Sequence, residues 1–258
     1  MVKITESPFP LNFLPVNYLL YILKKQVIIE STKILAGSNL AGGQKKMDAV
    51  KEPTILCELA YKYGTDKCPQ LKHSYTPFYH ELFKDRRESV KKVVEMGIGY
   101  YKTIQEVAVI YDGQLKRYYQ KGASLKMWRD YFPNAQIYGA DIAPETLIEN
   151  ERIMSFVCDE TKEEQIVNLI NQTGQDIDIF IDDGSHKWHH QAYLAKTVLP
   201  LLKKDVVYII EDVGFPSHLR QALKEYECIN PKLPYCFYRS EKYKGKIPKD
   251  RLFIVKNK

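Results

Sequence analysis

The chain has 258 residues, of which 45% are hydrophobic and 27% charged, with a formal net charge of +6. That composition excludes a disordered or collagen-like chain and suffices for one large domain with an appendage. Five scattered cysteines (Cys57, Cys68, Cys158, Cys228 and Cys236) form no CxxC pair, so neither a disulfide framework nor a zinc knuckle is expected, and a reducing, cytoplasmic compartment is favoured.

Residues 11–23 are rich in apolar side chains but are interrupted by Asn12, Pro15 and Asn17 and end at Lys24-Lys25. They fall short of the about 20 apolar residues that cross a bilayer, so no transmembrane segment is expected. Residues 1–10 hold one lysine, one glutamate and two prolines, unlike a secretory leader. From Pro15 onward Val16, Leu19, Leu20, Leu23, Val27 and Ile34 recur at helical spacing, which predicts an amphipathic helix with proline in its first turn. Its apolar face predicts packing on the domain or on a second copy of the chain, as a homo-oligomer; attachment to a membrane surface is the alternative. Residues 37–46, with Gly42-Gly43, read as a linker, which makes 1–46 an N-terminal helical extension and 47–258 the main domain.

The remainder alternates strand and helix. Residues 90–95, 136–140, 153–158, 176–181 and 206–210 read as strands, and residues 124–132, 163–171 and 189–202 as helices. This alternation predicts an α/β domain with a doubly wound, mostly parallel sheet. A helix over 217–226 precedes two more strands, 235–239 and 252–255, separated by a basic loop at 242–249, for seven strands in all. The lysines of that loop fit a solvated surface, with nucleic acid, which is not favoured, or an anionic glycan as the alternative.

The densest chemical signal lies at two strand ends. Ile179-Phe180-Ile181-Asp182-Asp183-Gly184-Ser185-His186 and Val207-Tyr208-Ile209-Ile210-Glu211-Asp212 each run from apolar residues into paired acids. Buried parallel strands deliver carboxylates in this way to the edge of the sheet where open α/β folds bind ligands. His186 adds a candidate base beside the acids, a combination that points to chemistry on a hydroxyl group. Glu95-Met96-Gly97-Ile98-Gly99 follows the first strand, and its glycines let the backbone approach a ligand. Asp141 ends the second strand, where a carboxylate can take both hydroxyls of a ribose, and Asp159 follows the third, where an adenine edge would lie. The chain has no full GxGxxG and no GxxxxGK[ST] run, which disfavours dinucleotide and P-loop chemistry. S-adenosylmethionine, with a ribose and adenine but no pyrophosphate, fits better. Each feature has a plainer rival. The acid pairs can be strand-to-turn junctions, though two in succession tell against that. His186, His189 and His190 can form a zinc face on a helix. Trp128, Tyr131 and Phe132 can wall an acceptor site, but their helical spacing favours the core, and His73 and Tyr75 read as a lid or as structure.

Ordered motifs then carry a family resemblance. Gly64-Thr65-Asp66-Lys67, His73-Ser74-Tyr75-Thr76, Glu95-Met96-Gly97-Ile98-Gly99, Tyr138-Gly139-Ala140-Asp141-Ile142, Asp182-Asp183-Gly184-Ser185-His186 and Ile210-Glu211-Asp212, with the stretch 123–135, closely resemble class I methyltransferases of the mycinamicin and macrocin sugar O-methyltransferase type. The resemblance covers roughly residues 56–213. It implies a Rossmann-like methyltransferase fold, bound S-adenosylmethionine, and a magnesium ion used to methylate a sugar hydroxyl of a glycan or glycoside. By position it implies that Asp183, Glu211 and Asp212 hold the metal and that His186 is the general base. It further implies cofactor contacts from Glu95, Gly97, Gly99, Ser124, Asp141, Ile142 and Asp159. Asp182 points the other way by strand alternation, toward the sulfonium end of the cofactor. Three carboxylates without cysteine make a hard oxygen site, suited to magnesium or manganese rather than zinc. A bound divalent cation loosens the proton of a coordinated oxygen, roughly from pKa 15.7 to 7 for water on zinc, which leaves a histidine little to remove. The chain departs from the family at residues 100–121, where a shorter glycine-rich connection is usual, and a helical insert over the mouth of the site is expected. The N-terminal helix does not map onto the resemblance. Rival functions are methylation of a small catechol or diol, a nucleic-acid-binding module, and a catalytically silent scaffold of the same fold.

Overall fold

The computed structural model describes residues 50–99, 120–203, 205–234, 236, 238 and 250–257. The chain divides at Lys45 and Lys46, and every described residue falls in the second unit. The expected N-terminal helix, its linker, nearly all of the 100–121 insert and the basic loop at 242–249 lie outside the described residues.

Seven strands form one sheet: β1 (Lys92–Met96), β2 (Gln136–Asp141), β3 (Ile153–Val157), β4 (Ile179–Asp182), β5 (Val207–Ile210), β6 (Tyr226–Ile229) and β7 (Phe253–Asn257). Their order is β3-β2-β1-β4-β5-β7-β6, with β1 to β5 parallel and β7 antiparallel to both its neighbours. This is the expected doubly wound, mostly parallel sheet. The strand order reverses at β1, where Val94 faces Tyr138 of β2 on one side and Phe180 of β4 on the other. A crevice opens beyond the carboxyl ends of strands at such a switch point. β4 is buried along its whole length, which explains its unbroken apolar run before Asp182.

β6 corrects one expectation. The helix predicted over 217–226 spans only Pro216–Ala222, and Tyr226 begins an edge strand instead. Four residues of mixed burial are too few for a period of two to stand apart from a helical pattern. Among the described residues the edge of the sheet beside β7 is β6, and the strand predicted at 235–239 falls largely outside them. Cys236 makes an isolated bridge to Val50, and residues 235, 237 and 239 lie outside the described set.

Sequence periodicity assigns no element to residues 47–89, where the structure forms α1 (Ile55–Tyr63) and α2 (Tyr75–Phe83). The start and stop of α1 are written locally. The Thr54 side chain accepts the Cys57 N–H at 3.3 Å, Glu58 and Lys62 suit the helix dipole, and Gly64, at φ 78°, turns the chain out. α3 (Ala123–Tyr131) packs on β2 and β3 and against α1. Between α2 and α3 lies an aromatic layer: Tyr79 meets Trp128 edge-on at 5.4 Å, and Phe132 meets both Trp128 at 5.9 Å and Phe83 at 5.6 Å. Trp128, Tyr131 and Phe132 are all fully buried, so they are core and not an acceptor wall. α4 (Glu163–Thr173), α5 (Trp188–Val198) and α6 (Pro216–Ala222) pack side by side, burying Ile166, Leu194 and Leu219 with Val94, Phe180 and Ile210. Among the described residues no helix is long and apolar enough to cross a membrane.

Removing the largest piece of the aromatic layer leaves a cavity that the flanking helices cannot close. Trp128→Ala is expected to lower the unfolding free energy by about 3–5 kcal/mol, measured by urea denaturation.

Candidate active site

Strand alternation sorts the acids by face. Val94 and Met96 of β1 enter the core under α4 to α6, so Glu95 between them faces the side of α1 to α3. There the turn after α1 delivers Lys67, whose side chain is 2% exposed. Its Nζ lies 2.6 Å from Asp183 Oδ2, 2.7 Å from Glu211 Oε2 and 3.2 Å from Glu95 Oε1. One ammonium thus joins acids from the ends of β4 and β5 to one inside β1. The second oxygen of Glu211 accepts the Tyr79 hydroxyl at 2.5 Å. The second oxygen of Asp183 faces His186, with Nε2 at 3.1 Å, while His186 Nδ1 lies 3.7 Å from Asp212 Oδ2. The Tyr75 hydroxyl donates to the other oxygen of Asp212.

Of the metal ligands implied by the resemblance, Asp183 and Asp212 therefore meet around His186, and donor atoms of these three residues all lie within 4.8 Å of one another. Glu211 stands beside them, with both oxygens engaged by Lys67 and Tyr79. His186 and Asp212 hold left-handed backbone, at φ 59° and 48°, which leaves only Arg152 as a third non-glycine residue with positive φ among the described residues. Such conformations cost about 1–3 kcal/mol each and persist where surrounding contacts impose them.

The electrostatics follow from burial and pairing. Burial opposes the charge on Lys67, but Asp183, Glu211 and Glu95 outweigh it and hold the ammonium protonated well above its usual range. Burial pushes Glu95 up, with Lys67 and Ser124 drawing it back. Glu211 is likewise raised by burial against the pull of Lys67, whereas in Asp183 the attraction of Lys67 and His186 overcomes burial and lowers the pKa. Burial also works against a charged His186, yet Asp183 and then Asp212 raise it from 6.5 to about 9. Stabilisation by this imidazolium is complete below pH 6.5 and is lost as pH rises through about 9. In chelator-treated protein the His186 ring protons are expected to titrate near pH 9 by NMR, and adding magnesium should move that midpoint down by neutralising Asp183 and Asp212.

These groups open into a single cavity of about 650 Å³ that extends to the carboxyl ends of β1, β2 and β3. Gly97, Gly99, Ser124, Asp141, Ile142 and Asp159 line it, together with Asp183, His186, Glu211 and Asp212. Asp141 is fixed as an acceptor, taking the Ile98 N–H at 3.0 Å and the Ala143 N–H at 2.9 Å. Those bonds lower its pKa against the larger upward push of burial. Asp159 is held by the hydroxyl and N–H of Thr161, the hydroxyl being the main cause of its lowered pKa. Ile142, 65% exposed, forms an apolar lip. Glu95 is fully buried and meets the site through Lys67.

Asp182 is not among the cavity's lining residues. It is fully buried; Gly184 N–H donates to one of its oxygens at 3.3 Å, and burial followed by Glu160 pushes its pKa well up.

Lys67, Tyr79 and Glu160 contact the site's loops and acids, and spacing alone does not single them out; Tyr75, read from sequence as lid or structure, bonds Asp212. Glu160 Oε1 accepts the Ser185 N–H at 3.0 Å, and a Cβ on Gly184 would sit 1.7 Å from Glu160 Oε2, so Glu160 and the β4 loop fit as a pair. Gly64-Thr65-Asp66-Lys67 was the available signal for Lys67, but an isolated lysine in a turn ordinarily reads as surface.

Gly97 joins the two ends of the cavity. It adopts φ +83°, and a Cβ there would lie 2.1 Å from the Asp183 carbonyl oxygen. Gly97→Ala is expected to destabilise the protein by about 2–4 kcal/mol, read as a lowered urea midpoint.

No family model matches the chain. It is 33% identical over 165 residues to 8-demethyl-8-(2-methoxy-alpha-L-rhamnosyl)-tetracenomycin-C 3'-O-methyltransferase of Streptomyces olivaceus, a match covering 64% of this chain and 38% of that protein. It is 32% identical over 183 residues to mycinamicin VI 2''-O-methyltransferase of Micromonospora griseorubida, covering 69% and 42% respectively. Among solved structures, the MycE methyltransferase of the mycinamycin biosynthetic pathway in complex with Mg and SAH superposes with a TM-score of 0.51 at 29% identity, over 81% of this chain and 49% of that one. The chain thus spans about half, or less, of the length of these relatives. The resemblance drawn from the motifs agrees with them, and the fold is that of the methyltransferase neighbours.

Proposed function

We propose that the chain is an S-adenosylmethionine-dependent, divalent-cation-assisted O-methyltransferase whose acceptor is a sugar hydroxyl of a glycoside. The observation that carries this reading is the single cavity with Asp141 and Asp159 at one end and the Asp183, His186 and Asp212 cluster at the other. Its volume suits a ligand pocket of roughly 300–1,000 Å³. Relatives named for rhamnosyl and mycinamicin acceptors, and a neighbour solved with Mg, SAH and mycinamycin VI, support a sugar-bearing substrate.

The donor sets fit both groups. Asp141 is anchored by backbone N–H groups and retains lone pairs for a ribose diol, while Ile142 offers apolar surface beside it. Asp183 and Asp212 present hard oxygens with His186 between them, a set suited to magnesium or manganese. When bound, such an ion supplies Lewis acidity to an acceptor oxygen, and S-adenosylmethionine supplies the methyl group.

The remaining work belongs to the chain's own residues. Asp183 orients His186 through its 3.1 Å contact with Nε2, and Asp212 stands on the other side of the ring. His186 receives the acceptor's proton, which requires a neutral imidazole. Neutralising the charge on Asp183 and Asp212 produces that form, since those carboxylates are what hold the ring protonated. Base catalysis of this kind contributes about 10²–10⁴-fold, and fixing acceptor and methyl donor in one cavity supplies further rate through orientation.

Calorimetry with S-adenosylmethionine, with magnesium and with chelator, tests the first half of this reading; an acceptor panel of deoxysugar glycosides and catechols tests the second. Cofactor binding and methyl transfer to glycosides are expected. Absence of cofactor binding in every condition would sink the enzyme reading, and turnover of catechols alone would reassign the acceptor. His186→Ala should lower kcat by about 10²–10⁴-fold with cofactor affinity retained. Asp141→Asn should weaken S-adenosylmethionine binding by about tenfold to a hundredfold.

A further inference from the structure

The loops after β4 and β5 lead into a row of aromatic side chains. Phe215, three residues beyond Asp212, is 58% exposed, more than any other phenylalanine, tyrosine or tryptophan among the described residues. One exposed ring is ordinary, but this one ends a series. Phe215 meets His218 edge-on at 5.8 Å, His218 lies 5.5 Å from Trp188, Trp188 meets His189 edge-on at 5.5 Å, and His190 follows at 4.5 Å. Trp188 is half-buried against the core, whereas His189 and His218 are exposed. His190 lines the cavity, as does Lys187 just before Trp188, so the row runs out of the cavity across the starts of α5 and α6. The turn between α1 and α2 lines the same cavity with a different surface, the Asp66 and Lys72 pair at 3.0 Å and His73.

A pyranose ring is amphipathic, with C–H faces that cover apolar surface and hydroxyls at its edges. The row matches both properties, since Trp188 and Phe215 offer ring faces and the histidines add hydrogen-bonding nitrogens. A purely apolar ligand would take those nitrogens from water without giving them a partner, which costs binding energy. Five rings at spacings of 4.5–5.8 Å also present more face than one monosaccharide covers. We propose that Trp188, His218 and Phe215 bind further sugar units of the acceptor. The substrate is then an oligosaccharide whose methylated unit enters the cavity at His186 and whose neighbouring units lie along the row. This rests on the sugar O-methyltransferase reading above and adds to it the size of the acceptor. The three side chains determine specificity and take no part in proton or methyl transfer.

Titrations in the presence of S-adenosylhomocysteine and magnesium decide it, with three probes that share one sugar: methyl α-L-rhamnoside, nitrophenyl α-L-rhamnoside and an α-linked L-rhamnose trisaccharide. The trisaccharide is expected to bind the wild-type protein at least about tenfold more tightly than the methyl glycoside. Phe215→Ala and His218→Ala are each expected to remove most of that advantage, with S-adenosylhomocysteine affinity and Tm unchanged. Equal affinity for methyl glycoside and trisaccharide, or an advantage that survives both substitutions, overturns the inference and leaves the sugar reading intact. A gain confined to the nitrophenyl glycoside also overturns it and assigns the row to an apolar aglycone. Loss of self-association in Phe215→Ala, measured by sedimentation, with trisaccharide affinity unchanged, assigns the row to a second copy of the chain and overturns it as well. A wild-type protein that binds none of the three probes overturns both the inference and the sugar half of the proposed function, whose cofactor half is judged separately by S-adenosylmethionine titration.

Discussion

Three carboxylates inside a protein need a cation, and here a single lysine provides it. Each buried ion costs several kcal/mol in lost hydration, a cost met only when its partners are close and well oriented. Lys67 has three such partners, on β1 and at the ends of β4 and β5. The pairing also fixes chain topology, because Lys67 belongs to the turn that ends α1. The α1 and α2 segment is thereby locked to the carboxyl edge of the sheet, and Tyr75 and Tyr79 follow it into contact with Asp212 and Glu211. The turn between α1 and α2 is part of the site's wall for this electrostatic reason as much as for the apolar packing of its helices.

Around that pairing, the pleat of the strands does the sorting. Adjacent residues on one strand serve opposite faces, so Glu95 and Met96, or Asp182 and Asp183, meet different surroundings. Asp183 is drawn into an ionic cluster, while Asp182 next to it is sealed in beside Glu160. The two carboxyls are driven in opposite directions, one below and one above the usual range. Neighbouring acids in sequence are therefore not interchangeable members of a ligand set.

Much of this was legible before any coordinates. Apolar runs ending in Asp182-Asp183 and Glu211-Asp212 announce buried parallel strands, and the structure brings Asp141, Asp159, Asp183 and His186 to one cavity as their strand ends predict. Long-range pairing was less legible. That Lys67 is buried depends on three acids 28 to 144 positions away, and no local pattern encodes their convergence. The β6 strand was hidden for a different reason, being too short for periodicity to separate it from the end of α6. α1 and α2 escaped because both are only nine residues long, and in α2 seven of the nine residues are buried, aromatic and polar together, which blurs an amphipathic stripe. The caps of α1 at Thr54 and Gly64 were the readable signal.

The contact between Gly97 and the Asp183 carbonyl has a thermodynamic corollary. The loop proposed to approach a nucleoside-like ligand and the loop whose acids are proposed to bind a cation touch backbone to backbone, with no side chain between them to absorb a shift. Two ligands that meet through such a junction are coupled in their binding free energies, and coupling is symmetric. Whatever factor occupancy of one end imposes on affinity at the other is returned unchanged in the opposite direction.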